Sequence, residues 1–325
     1  MSPRKRNSTV GSKQGSPSVS QWHLDMSLVQ QNLDTLALAL ANKIEREWPP
    51  RLRHLPFAQG FLAMTVRLSR ITYRTLCYLC ADARLKETEW RWYYTLSLAP
   101  LNRIILDAVF NVVFMLEDIE TRADWYQKSG WKEAYRDYLR YFDTYGNDPQ
   151  WAKWIDSYRS WLQQGVAHFA ITKEELKQKN WWPNPGKMIS YDFDNGVLPP
   201  SRRFLQYLND WFYRETSAQN HQSFFGFMRV GGFLLADSPG LTETQKEKLE
   251  SEFYPRQRAV QVSRSVMLLL CLISEVVRYF DFDLTPRTIE LWSLINHVPE
   301  AKELYEARYA ALWPTIDEAR RATSG

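Results

Sequence analysis

The chain has 325 residues, with 41 basic and 37 acidic side chains, 14 Trp, 17 Tyr and only 13 Gly. So little glycine argues against a loop-rich β-sandwich and against a Gly-rich phosphate cradle, because both place glycine where φ is positive. Arg4, Lys5, Arg6 and Lys13, with no acid among residues 1–20, supply the whole net charge of +4; the rest of the chain is neutral and gives no bulk electrostatic case for strong phosphate-backbone binding.

Residues 1–20 read as a disordered basic tail ahead of a single helical domain over 21–325, within which 241–325 could form a helical subdomain. Pro3-Arg4-Lys5-Arg6 is not followed by an apolar run, so it does not read as a secretory signal. Cys77, Cys80 and Cys271 are too few for a disulfide framework, which fits a reducing compartment; the expectation is a soluble cytoplasmic protein with no membrane partner. The most apolar run, Val266 to Val277, is shorter than the roughly 20 residues that span a bilayer, and it contains Glu275. It reads as a buried helix.

In chain order, residues 24–47 carry a helical stripe of Val29, Leu33, Leu36, Leu40 and Ile44, closed by Pro49-Pro50. A second stripe runs through Phe57, Phe61, Met64, Leu68, Ile71 and Leu79. Residues 89–98 look helical, and residues 101–117 continue that pattern beyond Pro100 with Ile104, Ile105, Ala108, Val112 and Leu116. Residues 122–142 hold Trp125, Trp131, Tyr135 and Tyr138 at helical intervals. Asp148-Pro149 then reads as an N-cap and first position for a helix over 151–162. Thr172 to Glu175 and Thr242 to Gln245 are capping boxes.

Between them, residues 181–200 break the helical period with four prolines and an alternating run ending in Asn195-Gly196, which predicts a loop or small hairpin. A long helix is expected from Ser201 to about residue 235. The apolar helix over 257–280 and helices opened by Thr285-Pro286 and Pro299-Glu300 complete an all-α multi-helix bundle.

Few side-chain constellations carry chemistry. Cys77-Tyr-Leu-Cys80 has redox spacing but lies inside an apolar stripe with no second Cys/His pair, so it reads as core. Residues 192–196 hold two acids of a calcium loop, but the glycine is one place early and Arg203 stands where a bidentate glutamate belongs. No metal site and no cofactor are expected. The cluster that stands out is Tyr213, Ser217 and His221 at i, i+4 and i+8, with Arg214 two turns before the histidine. Arg103 and Asp107 form a second polar pair at i, i+4 in an apolar helix, where charges need partners. One reading makes these residues a buried network joining two core helices.

The two segments resemble an uncharacterised bacterial family of all-helical proteins, a domain of unknown function with Arg-x3-Glu on an early helix and Tyr-x3-Ser-x3-His on a later one. Here Arg103 and Asp107 stand for the first, with Asp in place of Glu, and Tyr213, Ser217 and His221 match the second. The likeness covers roughly residues 60–240 and brings no activity with it. Arg214 with six residues before His221 is also similar to the active-site motif of the HEPN superfamily, helical bundles that include RNA-cleaving toxins and antiviral effectors. That resemblance implies a homodimeric, metal-independent endoribonuclease acting on RNA, with His221 as general acid/base, Arg214 neutralising phosphate charge and Ser217 and Tyr213 in support.

Two rival readings stand beside it. In one, the chain is a non-enzymatic scaffold or sensor that binds a protein partner or small ligand through aromatic surface, with Trp151, Trp154, Trp161, Trp181 and Trp182 as the candidates. In the other, Arg103 and Asp107 line a pocket of an enzyme for a small substrate.

Overall fold

Residues 19–81, 98–179, 181–193, 196–214, 216, 240, 242–248, 251 and 254–313 are described by a computed structural model of the chain. Among them are twelve α-helices and no strand, an all-α bundle. The basic tail through residue 18 and the helix expected over residues 89–97 lie outside the described residues.

Helix α1 (Val19–Arg46) buries Val29, Leu33, Leu36, Leu40 and Ile44, as its 3.6-residue stripe requires. After it the chain turns a corner through a short 3₁₀ segment (Pro50–Leu52), pinned by the Trp48 indole N–H donating to the Leu52 carbonyl at 2.6 Å. Helix α2 (Pro56–Ala81) departs from expectation. It buries Ala58, Leu62, Ala63, Val66, Ser69, Tyr73 and Leu76, while Met64, Leu68 and Ile71 are each more than half exposed. Phe57, Phe61 and Leu79 of the expected stripe pack against the core only in part, and the fully buried face, which mixes Ala58, Ala63 and Ser69 with Leu62, Val66, Tyr73 and Leu76, lies beside it.

Helix α3 (Leu98–Leu116) and helix α10 (Tyr254–Phe280) form the centre. Both are long and apolar enough to cross a membrane by length and composition, and most of each lies buried in the bundle. Ile105, Leu106, Val109 and Phe110 of α3 and Leu268, Leu269, Leu272 and Ile273 of α10 belong to one buried cluster. Asn102 donates to both the carbonyl and the side-chain oxygen of Gln261 across that contact, fixing its register. Helices α11 (Thr285–Ile295) and α12 (Pro299–Arg308) close one end, and their Ile289, Trp292, Leu304 and Tyr305 join the same cluster as α1 to α3.

Helix α4 (Ile119–Tyr145) starts at the Asp118 N-cap, whose carboxylate accepts from the Thr121 N–H. Its buried residues, Ile119, Ala123, Ser129 and Lys132, all fall in the first half; the second half pairs with helix α5 (Ala152–His168), which buries only Ile155 and Leu162. The Asp148 side chain caps a turn by accepting from the Gln150 N–H, and α5 begins only after Trp151, later than Asp148-Pro149 predicts.

Thr172 forms the expected capping box for α6 (Lys173–Lys177). The alternating run that suggested a hairpin is partly helical: Asn184 caps α7 (Pro185–Ser190) with Pro185 at its start, and a Pro-plus-cap signal outweighs a short alternation. Asp192 then turns with φ of 62°, and the loop continues to α8 (Pro200–Leu208). A π-helical turn (Asn209–Tyr213) follows directly, and helix α9 (Glu243–Lys248) starts at the Thr242 box.

Candidate functional site

The π-turn decides where the predicted site residues point. It adds a residue to one helical turn and so shifts the phase of Tyr213 and Arg214 relative to α8. Tyr213, its last residue, faces α3. The Arg103 guanidinium lies 3.2 Å from the Tyr213 ring centroid, and Phe110 meets that ring edge-on at 5.8 Å. Arg103 Nε donates to both oxygens of Asp107 at 2.9 and 3.0 Å, and Nη1 reaches the Tyr213 carbonyl at 3.5 Å.

The structure therefore brings Arg103, Asp107 and Tyr213 together. Burial pushes the Asp107 carboxyl above its usual range, with Arg103 partly opposing the shift. Arg214 points the other way: its side chain is 75% exposed and meets Asp210 at 3.3 Å. Ser217 and His221 lie outside the described residues. Tyr213 is thus committed to a cation–π stack, while Arg214 stands in solvent.

Two charged clusters escaped the sequence reading. In the turn between α3 and α4, Glu117 accepts from Arg202 Nε at 2.7 and 2.9 Å, from Arg122 Nη1 at 2.6 Å, and from the Ser201 hydroxyl. Arg122 and Arg202 both lie over the Phe114 ring, at 3.9 and 4.5 Å. Burial opposes ionisation of Glu117, but these donors outweigh it and hold the carboxyl below its usual range. No spacing rule links partners 85 positions apart.

Deeper, Arg308 grips Glu275 with two hydrogen bonds at 2.8 and 2.9 Å, and Arg278 adds a third at 3.0 Å. The lone acid in an apolar run was the visible half of that pair. Among the described residues no group of three or more His, Cys, Asp or Glu could hold a metal ion.

The third feature is an aromatic row along the α4–α5 hairpin. Tyr145 stacks on Trp151 at 4.7 Å, Trp151 meets Trp154 at 5.9 Å, and Trp154 meets Tyr141 and Tyr158 at 5.1 and 5.4 Å. Tyr158 leads on to Trp161 at 5.4 Å, and Trp161 to Trp131 at 4.9 Å. Trp151, Trp154 and Trp161 are 40–51% exposed. Arg140, over Tyr141, and Arg159, at Tyr138, border the row and are paired with Asp137 and Asp156; residues 119–168 carry seven basic and seven acidic side chains, so the hairpin is neutral.

Trp181 is also exposed. Trp182 is not part of this surface: it packs on Phe114, Trp125 and Tyr126, and its indole N–H donates to Asn111 at 2.8 Å. A partly buried indole N–H turned away from water needs such an acceptor, and Asn111 on α3 supplies it.

Comparison with protein-family models, curated proteins and solved structures finds no match.

Removing Arg103 isolates one contribution. Arg103→Met should cost about 1–2 kcal/mol, the size of a partly desolvated cation–π contact, and should drive the Asp107 carboxyl further up. Urea unfolding and NMR titration of the Asp107 carboxyl check the two halves of that expectation.

Proposed function

We propose that the chain is a non-enzymatic helical scaffold that docks a protein partner on the exposed aromatic row of its α4–α5 hairpin. The observation that carries this reading is the row itself: Trp151, Trp154 and Trp161 in contact through Tyr158, half exposed, with paired arginines at the margin. Trp, Tyr and Arg are the side chains that dominate binding energy at protein interfaces. Exposed apolar groups in contact with one another lose hydration when covered, at about 25 cal/mol per Å². Neutrality favours a protein over RNA on this face, since RNA stacking grooves pair their aromatics with unneutralised basic charge.

Photo-crosslinking tests it. A photoreactive residue at position 154 or 161 should join the chain to the same single protein in its native cells. Trp151→Ser should remove that product while leaving the far-ultraviolet helical signal unchanged. Diffuse products that survive Trp151→Ser would sink the reading.

A second reading, the HEPN-like endoribonuclease with Arg214 and His221, is favoured by one observation. Arg214 stands in solvent beside a π-turn, a distortion common at functional sites, with Asp210 as its ion-pair partner. That enzyme would lose RNA cleavage on His221→Ala at unchanged melting temperature. The scaffold has no cleavage to lose.

A further inference from the structure

Glu117 sits on the turn between α3 and α4, with its side chain 20% exposed at the edge of the bundle. Where it now lies it receives hydrogen bonds from two guanidiniums and one hydroxyl. The charges do not match: two cations meet one carboxylate, in a setting where the Arg202 side chain is 1% exposed and the Arg122 side chain 11%. An unmatched buried cation is costly. Among the described residues Glu117 is the one acid in ion-pair contact with either guanidinium, and the nearest other buried acid, Glu275, is taken by Arg308 and Arg278.

Arg202 also has an unused donor: Nη1 is buried and meets no acceptor among the described residues. The guanidinium lies between the Phe114 ring at 4.5 Å and the Phe193 ring at 5.9 Å, neither of which accepts as an oxygen would. Finally, Ser201 and Arg202 belong to the first turn of the nine-residue α8, whose N-cap position is Pro199 and has no capping side chain.

We propose that Arg122, Ser201 and Arg202 form a binding site for a phosphate monoester dianion, with Glu117 as the internal group that the ligand displaces. Two negative charges balance the two guanidiniums. A phosphate offers more acceptor oxygens than a carboxylate, enough for Arg202 Nη1 as well as Nε. Entry is from the rim, where the Ser201 hydroxyl and part of Glu117 reach solvent.

The test is calorimetric titration of the full chain with inorganic phosphate near pH 8, against chloride at equal ionic strength. Wild type should bind saturably. Glu117→Gln, which removes the charge that must be expelled, should bind at least about tenfold tighter, and Arg122→Gln at least about tenfold weaker. Dimethyl phosphate and acetate, monoanions that cannot balance both arginines, should bind at least about tenfold more weakly than phosphate.

No saturable phosphate binding by wild type, or the same affinity in Arg122→Gln, overturns the site. Equal binding of the monoanions overturns its assignment to a dianion. Should Glu117→Gln fail to fold in chloride, folding restored by phosphate supports the proposal, and no restoration overturns it.

Discussion

Glu275→Gln is expected to lower the stability of the bundle by about 3–5 kcal/mol, because it strands the buried Arg308 guanidinium without its counter-charge. Glu275 is 1% exposed and lies on α10, the helix that packs on α1, α2, α3 and α11. Arg308, on α12, is nearly as buried. Arg278, at the margin, can turn toward water, so the penalty falls on Arg308. Urea denaturation should show a lower midpoint with an unchanged slope.

The double replacement Glu275→Met with Arg308→Leu should recover most of the loss, because apolar pairs of similar volume often match a buried ion pair. If the single and double replacements cost the same, the charge is not the cause. The pH dependence has a definite sign. Burial works against ionisation of Glu275, but Arg308 and Arg278 win and lower its folded-state pKa. Its contribution is therefore complete above the ordinary glutamate value, near 4.3, and fades as pH falls through the lower folded value. The gap between wild type and Glu275→Gln should narrow on acidification. Asp107, whose carboxyl is raised, acts in the opposite sense over its own window.

Local interactions were legible in the sequence. The stripes of α1 and α10, the capping boxes at Thr172 and Thr242 and the Pro-opened α11 and α12 are set by residues within a few positions of each other, and each is present. The pairing of Arg103 with Asp107 is local too, at i, i+4. Its stacking on Tyr213, 110 positions away, was not readable.

Failures have the same root. On α2 the stripe is right at Phe57, Phe61 and Leu79 and wrong at Met64, Leu68 and Ile71, because the small Ala58, Ala63 and Ser69 bury well but count for little in a hydrophobic tally. The π-turn has no compositional signal, yet it sets the directions of Tyr213 and Arg214. Trp182 and Trp181 are adjacent and chemically identical, and the Asn111 acceptor with the Phe114, Trp125 and Tyr126 rings seats one of them against the core.

Gly165→Ala should reverse the usual effect of that substitution and separate the two helices of the hairpin. At an exposed helical position, glycine to alanine stabilises by roughly 0.5–1 kcal/mol through backbone entropy. Gly130 on α4 is such a position, with nothing within 4 Å of an added Cβ, so Gly130→Ala should gain that amount. At Gly165 an added Cβ would fall inside the Trp131 indole, which already packs on Trp161 at 4.9 Å and Phe169 at 5.7 Å.

A large ring held on two sides cannot yield by a small rotation. Overpacking of this kind costs about 1–3 kcal/mol, which outweighs the entropic gain. Trp131 must leave, taking the Trp161 end of the aromatic row with it. The hairpin should then exchange its amide hydrogens faster from Trp151 to His168 while α3 and α10 keep their protection. Crosslinking from position 161 should fail in the same variant. Faster exchange together with undiminished crosslinking would mean that the row does not act as the docking surface.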